Sequence, residues 1–293
     1  MLIVVPTSIF AAFCFAVAAV IQQYRASSEP DSLNLHPNLI VKLAKQPVWL
    51  LGIVASIAGF GFQAVALWKG SLTTVQPLLV LGLVFAIPLS KVTIYKKLPN
   101  VREWLATFLV TGGIVWFLIV AKAKGGNPTA STKDWISTIF IVFLIAIFII
   151  FLSRFQNPAG RSIMQATAAG IVNGLAAAFT KGVAHNVGIL FQGKHSYVFI
   201  VTHAIFEWQL FALLIDYFLV LLLVQSAFQG IQIGWSLPAL TVANPFASLT
   251  IGIVAFHESI GLNALSIGLE IIGIVTMLIG MIVLAMLPPN TKA

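Results

Sequence analysis

The chain has 293 residues, of which 59% are hydrophobic and only 8% are charged, and its formal net charge is +8. A soluble domain carries about 25% charged residues, so this composition cannot form a water-exposed surface and lipid must cover most of the exterior. The positive charge does not indicate nucleic acid, because the Lys and Arg residues lie almost entirely in short connectors between apolar segments. A single cysteine, Cys14, excludes an internal disulfide and a cysteine cluster for a metal.

Nine segments are apolar and long enough to cross a bilayer as helices, which takes about 20 residues. In chain order they are 2–23, 47–68, 71–92, 102–121, 135–153, 162–184, 207–228, 234–257 and 264–287. The first is predicted to be an uncleaved span rather than a signal peptide, because no Lys or Arg precedes it and it exceeds the usual apolar core of a signal. Residues 185–206 are ambiguous, since they fit an extension of the next helix, an interfacial or re-entrant segment, or a tenth span.

The distribution of positive charge predicts the orientation. The odd-numbered connectors and the C-terminus hold ten of the 16 Lys and Arg residues, which leaves six on the other side. Because cytoplasmic loops are enriched in Lys and Arg, we expect a plasma-membrane protein with its N-terminus outside and its C-terminus inside.

The chain is predicted to repeat itself with an offset near 168 residues. The segment SLTTVQP at 71–77 aligns with ALTVANP at 239–245, and FAVAAVIQQ at 15–23 aligns loosely with GLAAAFTKG at 174–182. Gly113 of the fourth span matches Gly280 of the ninth. A single membrane domain, 1–293, would then hold one copy at 2–121, a linker helix at 135–153 and a second copy at 162–287. Five crossings separate the copies, so they face opposite ways, as in many secondary transporters.

The segment PFASLTIGIVAFHESIGLNALSIGLEIIGIVTMLIGMIVL resembles the end of an EamA-type repeat. That pattern has a proline that begins an apolar helix, an acidic residue at the end of this helix, and two glycines seven residues apart in the next. Pro245, Glu258, Gly273 and Gly280 occupy these positions, whereas Ser90 replaces the acid in the first copy. The chain therefore resembles the drug/metabolite transporter superfamily, and its nine-span layout is most similar to the NIPA-like magnesium transporter branch. This resemblance implies transport of a small solute by alternating access.

Two prolines are predicted to break helices at matched positions of the copies. A proline has no amide proton, so it leaves the carbonyl four residues earlier without its helical hydrogen bond. In lipid that carbonyl must be satisfied by neighbours, water or a ligand. Two interpretations of these prolines remain: the free carbonyls line a substrate pathway, or each proline makes a plain kink in which the threonine hydroxyl satisfies the carbonyl. The groups concerned are Thr73, Gln76 and Pro77 in the first copy and Thr241, Asn244 and Pro245 in the second.

Asp216 and Glu270 lie within predicted spans. Burying a charge there costs about 2.5–3.5 kcal/mol, so acids in spans usually face a cavity or a partner. Both are candidates for binding a coupling proton or cation, and they are weak candidates for metal ligands. The alternative is that each is hydrated near the interface, or neutral and hydrogen-bonded. Lys181, which lies on a helix with Asn173, either pairs with one of these acids or extends to the lipid headgroups.

Glutamines mark two further stripes. Gln63 follows a stripe of small residues that is expected to be a helix-packing surface, from which Gln63 alone reaches towards a cavity. Gln225, Gln229 and Gln232 lie opposite Asp216 on the helical wheel, which predicts an interfacial edge. The small residues of the first stripe are Gly52, Ser56, Gly59 and Ala66.

The expected fold is an all-α polytopic bundle of about nine spans, built as inverted repeats in a 4 + 1 + 4 arrangement. Its expected function is secondary transport of a small solute, with a magnesium-type cation transporter and a non-transporting membrane scaffold as the alternatives. No motif of a hydrolase, metalloprotease or nucleotide-binding loop is present in the sequence, so neither catalysis nor a cofactor is expected. The expected partners are the lipid bilayer and the solute, not nucleic acid, and a homodimer is left open.

Overall fold

A computed structural model describes residues 3–69, 75, 78–94, 96–121, 127, 130–192, 207–230, 233–257 and 264–286. These residues form ten α-helices and a short 3-10 turn at Asp31–Leu33, with no strand in the described ranges. The all-helical prediction is confirmed at this level. The helices are α1 (Val4–Ala26), α2 (Pro37–Leu43), α3 (Pro47–Lys69), α4 (Gly82–Thr93), α5 (Val101–Ala121), α6 (Thr132–Ser153), α7 (Pro158–Gln192), α8 (Trp208–Phe228), α9 (Ile233–Phe256) and α10 (Ala264–Met286).

Five of these helices are long and apolar enough to cross a membrane: α1, α6, the first 26 residues of α7, α8 and α9 without its first residue. A sixth span results if α2 and α3, which meet at a bend of 100°, are counted as one broken crossing. The chain is therefore a helical, membrane-embedded protein. The predicted number of about nine spans is not confirmed by the described residues.

Helix α7 differs most from its predicted boundaries. The predicted span ends at residue 184, but the helix continues without interruption to Gln192 and has 35 residues. At 1.5 Å per residue it is roughly 50 Å long, which exceeds the roughly 30 Å apolar core of a bilayer. The predicted end was too early because the span was recognised by its apolar residues. That apolar character weakens near Lys181, whereas the helix continues. Residues 193–206 lie outside the described residues, so the question of a re-entrant segment or tenth span is not answered.

Small residues bring the helices close together. A methyl group added at Gly52 would lie 2.9 Å from the Gln22 side chain, and one added at Gly59 would lie 2.7 Å from the Phe15 ring. The stripe that precedes Gln63 is thus a packing surface between α1 and α3, which run antiparallel. By contrast, α6 exposes a row of large apolar side chains, which suits contact with lipid: Ile136, Phe140, Leu144, Ile147 and Phe148.

Ionic contacts between connectors follow a simple rule in the described residues. Arg161, in the first turn of α7, forms a 2.8 Å ion pair with Asp31, after α1. His257, after α9, lies 3.4 Å from Asp134, at the start of α6. In the predicted nine-span numbering, the first pair joins two odd-numbered connectors and the second joins the end of the eighth span to the fourth connector. Each contact therefore joins segments that the predicted topology places on the same side of the membrane.

Candidate functional site

Asp216 lies on the buried face of α8, about 12 Å along the helix axis from Trp208, a position near mid-depth in a bilayer. Its side chain is almost fully buried, with 2% of its surface exposed. Neither carboxylate oxygen has a hydrogen-bond partner in the described structure. A buried polar group without a partner is costly, so this carboxyl group is the first candidate for a functional residue.

The surroundings of Asp216 are apolar on both sides along α8. One turn before it, Ala212 and Leu213 pack on a cluster that contains Leu175 and Phe179 of α7. One turn after it, Val220 packs on a second cluster, formed largely by alanines of α6 and α7. The acid thus lies between two dry clusters where α8 meets α7.

Lys181 does not neutralise Asp216. Its ammonium group lies 4.0 Å from the centre of the Phe256 ring, near the end of α9. That ring belongs to an aromatic cluster in which Trp135 stacks on Phe179 at 5.1 Å and meets Trp208 edge-on at 5.4 Å. The predicted pairing of Lys181 with Asp216 is therefore not formed, and the lysine contributes to an aromatic layer near the Trp208 end of the bundle.

Helix α9 is not broken at Pro245. It is helical from Ile233 to Phe256 with Pro238 and Pro245 inside it, and Pro245 itself is buried. The hydroxyl of Thr241 donates a 2.7 Å hydrogen bond to the carbonyl of Leu237, in the manner of a threonine within an intact helix. The expected gap in the helix does not open because α9 is packed along its length against α7, which holds both halves in line.

The seam between α7 and α9 passes through the predicted residues. A methyl group added at Gly170 would lie 3.0 Å from the backbone nitrogen of Asn244, and one added at Gly174 would lie 2.7 Å from the Ala247 methyl group. Asn173 adjoins Gly174 and is partly buried. The structure therefore brings Asn173 and Asn244 to the same helix seam, which the sequence alignment did not connect.

The remaining predicted residues are less informative. Glu270 and Gln63 are partly buried, on α10 and α3 respectively. Thr73, Gln76 and Pro77, the group of the first copy that was matched with Thr241, Asn244 and Pro245, lie outside the described residues.

Sequence reasoning missed a group of buried amides, although most of its members are glutamines inside or beside apolar segments. Gln225 of α8 donates a 2.6 Å hydrogen bond to Gln22 of α1 and accepts a 3.1 Å bond from the Trp49 indole. Gln22 also donates to the Ser56 hydroxyl at 3.1 Å. The prediction that Gln225 belongs to an interfacial edge is wrong, because α1 and α3 cover this face of α8 and Gln225 is fully buried.

A second group of amides fixes the connector after α1. Asn34 donates a 2.8 Å hydrogen bond to Gln229 and accepts a 2.6 Å bond from Gln165. Leu35 has a φ of 58°, which is unusual for leucine, and its backbone N–H donates to the Ser226 hydroxyl at 3.0 Å. Its side chain packs on the alanine-rich cluster of α6, α7 and α8. The two groups together are called the amide network, and they comprise Gln22, Asn34, Trp49, Gln165, Gln225 and Gln229.

A buried ion pair was also missed. Lys91 near the end of α4 contacts the carboxylate of Glu103 in the first turn of α5, and both side chains are largely buried. Glu103 accepts a further 2.8 Å hydrogen bond from the Asn100 backbone, and Asn100 accepts one from Glu103 in return. This reciprocal capping explains why a charged residue begins an apolar helix. The charge distribution used for the orientation treats Lys91 as one of the ten connector charges.

Helices α5 and α10 cross antiparallel through glycines with unusually close backbones. A methyl group added at Gly113 would lie 2.7 Å from the Gly273 carbonyl, and one added at Gly280 would lie 2.7 Å from the Ala106 carbonyl. An offset of 167 residues matches Ala106 with Gly273 and Gly113 with Gly280. The residues that the predicted repeat matches therefore lie together at one antiparallel crossing.

A surface groove of about 560 Å³ lies at the start of α6, away from these residues. It is open to the outside, and none of the predicted site residues lines it. Its lining residues are Thr132, Lys133, Ile136, Ser137 and Phe140.

Comparison with known proteins yields one relevant relative. A protein of Corynebacterium glutamicum described as uncharacterized is 24% identical over 258 residues, which cover 88% of this chain and 86% of that protein. No family model matches the chain. No solved structure matches it either. The similarity extends over most of both chains, but it assigns no function.

Proposed function

We propose that the protein is a secondary transporter that moves a small organic solute across the membrane by alternating access. It would belong to the drug/metabolite transporter superfamily that its repeat pattern resembles. The observation that carries this proposal is that Gly113 and Gly280, which the predicted repeat matches, both lie at the close antiparallel crossing of α5 and α10. Inverted repeats of this kind are characteristic of secondary transporters, in which the two copies rock about a shared substrate site.

The ionic contacts support the same topology. Arg161–Asp31 and His257–Asp134 each join connectors that lie on one side of a nine-span protein. An antiparallel α5–α10 pair also fits, since five crossings separate them and reverse their direction. We therefore retain the nine-span, 4 + 1 + 4 arrangement as part of the proposal.

The substrate site of this proposal lies where α7, α8 and α9 meet. Asn173 and Asn244 supply polar groups at the α7–α9 seam. Asp216 supplies an acid on the adjoining α8. An arrangement of few polar groups within an apolar shell is typical of sites for small organic molecules. The amide network closes the Ala26 end of the bundle, because it ties α1 and α3 to α7 and α8 by several buried hydrogen bonds.

A magnesium-type cation is the second candidate, which rests on the superfamily branch and on the two acids, Asp216 and Glu270. Magnesium prefers an octahedron of oxygen ligands, several of them water. In the described structure, Asp216 and Glu270 belong to no group of three metal-ligating side chains, and neither carboxylate oxygen of Asp216 has a hydrogen-bond partner. That geometry favours the organic solute.

The test is a flux screen with the purified full chain in proteoliposomes. Labelled metabolites and divalent cations are offered in turn, and each candidate is checked by counterflow against the same unlabelled compound. We expect at least one organic solute to show saturable counterflow that Asn244→Ala reduces, while the matched change Asn127→Ala, at an exposed residue between α5 and α6, leaves it unchanged. Magnesium flux that collapses in both Asp216→Asn and Glu270→Gln would favour the second candidate. No saturable flux of any compound would leave the scaffold alternative and refute transport.

A further inference from the structure

Resting on the transporter proposal, the geometry around Asp216 points to a proton as its ligand and as the coupling ion. We propose that Asp216 binds a proton in the conformation described here. It would release that proton only when the seam between α7 and α8 opens to water. This goes beyond the proposed function, which names neither the coupling ion nor the residue that carries it.

The first step is the cost of charge at this position. Asp216 is near mid-depth, 2% exposed, and without a hydrogen-bond partner for either oxygen. An ionised acid in the middle of a span is expensive even where water or a partner can approach it. Here the adjoining turns of α8 pack on apolar clusters. A neutral carboxylic acid fits this environment and a bare carboxylate does not.

The second step compares a metal ion with a proton as the occupant in this conformation. Magnesium needs about six oxygen ligands, several of them water, whereas a proton needs only one carboxylate oxygen. Among the described residues no three His, Cys, Asp or Glu side chains come together. Asp216 therefore belongs to no cluster of such side chains in the described part of the chain, which favours a proton.

The third step considers the charged groups on the helices that pack against α8. On α7, Lys181 lies over the Phe256 ring and Arg161 pairs with Asp31. On α2, Lys42 pairs with Glu29. Arg25 of α1 lies over its neighbour Tyr24, at the Ala26 end. None of these cations forms an ion pair with Asp216, so a proton is the only positive charge that the described structure leaves for it.

The coupling step is a simple proton transfer. The neutral acid gives its proton to water when the seam opens to one side, which leaves a carboxylate and a hydronium ion. The carboxylate takes a proton from water when the seam opens to the other side. Because the dry seam closes readily only around the neutral acid, the closed conformation carries one proton with it.

Infrared spectroscopy of the full chain in lipid nanodiscs tests the occupant without any solute. We expect a carboxylic-acid C=O band at neutral pH that shifts in heavy water, disappears in Asp216→Asn and moves in Asp216→Glu. The matched change Glu270→Gln should leave it in place. Asp216→Glu keeps the measurement interpretable if the asparagine variant folds poorly. A wild-type spectrum without this band, or sodium- or magnesium-dependent stabilisation lost in Asp216→Asn, would overturn the proposal.

Coupling is then tested with a solute found in the flux screen. A tenfold proton gradient should raise accumulation by wild type up to about tenfold, the limit for one proton per solute. In Asp216→Asn the ratio of accumulation with the gradient to accumulation without it should fall to one, whatever the rate of counterflow in that variant. Gradient-driven accumulation that persists in Asp216→Asn would refute coupling through this residue. If no solute is transported at all, the proposed function fails, whereas the infrared result still decides whether Asp216 holds a proton.

Discussion

The closest backbone approach in the bundle makes a sharp prediction, since Gly113 has a matched control beside it. A methyl group at Gly113 would lie 2.6 Å from the Met277 backbone nitrogen and 2.7 Å from the Gly273 carbonyl. Ordinary contact begins at 3.4 Å, so the helices must separate by about 0.8 Å. A methyl group at Gly112 would meet nothing within 4 Å. Gly112→Ala therefore changes helix propensity in the same way without the collision.

Overpacking of a tight seam typically costs about 1–3 kcal/mol. We expect Gly113→Ala to be less stable than Gly112→Ala by about this amount, which corresponds to roughly 2–4 °C in melting temperature per kcal/mol. Thermal unfolding in detergent, followed by size-exclusion fluorescence, measures the difference. Gly280→Ala should behave like Gly113→Ala, because its methyl group would also meet backbone at 2.7 Å.

The double variant tests whether the two glycines share one seam. A single separation of α5 and α10 relieves both collisions, so Gly113→Ala with Gly280→Ala should cost less than the sum of the two changes. Equal melting temperatures for Gly113→Ala and Gly112→Ala would refute the close antiparallel packing. Strict additivity in the double variant would refute the shared seam.

Three further predictions use the same unfolding assay. Gln225→Leu should cost about 1–3 kcal/mol, because it leaves buried Gln22 and Trp49 without their partner. The exposed Gln156→Leu is its control, and equal stabilities would argue against the amide network. Glu103→Gln should cost about 3–5 kcal/mol through the buried Lys91, whereas Asp31→Asn, in an exposed pair with Arg161, should cost less than about 1 kcal/mol. A larger loss of stability in Asp31→Asn than in Glu103→Gln would contradict the burial of the Lys91–Glu103 pair. Trp135→Ala should cost about 3–5 kcal/mol by opening the aromatic cluster, and a loss no larger than that of the partly exposed Trp104→Ala would contradict this packing.

Some features of the site were predictable and others were not, for physical reasons that differ by residue. Asp216 was recognisable from the sequence because an acid in an apolar span is costly wherever it lies. Gln225 was misassigned because a helical wheel shows which face a residue occupies but not which helix covers that face. Lys91 was misassigned because a lysine near a helix end extends to solvent unless an acid from another helix reaches it. Pro245 was expected to open a gap, but packing on α7 keeps α9 continuous.

The sequence by itself determined that the chain is helical and embedded in a membrane, because that follows from how many charged residues are present and how they are spaced. It also predicted a repeat in which Gly113 matches Gly280, since an offset is a property of the sequence alone. Only the tertiary structure decided that Ala106 meets Gly280, that α1 covers Gln225 and that no cation of the described residues forms an ion pair with Asp216. Those facts depend on which helices are neighbours, and the apolar faces of membrane helices are too alike for their sequences to specify partners.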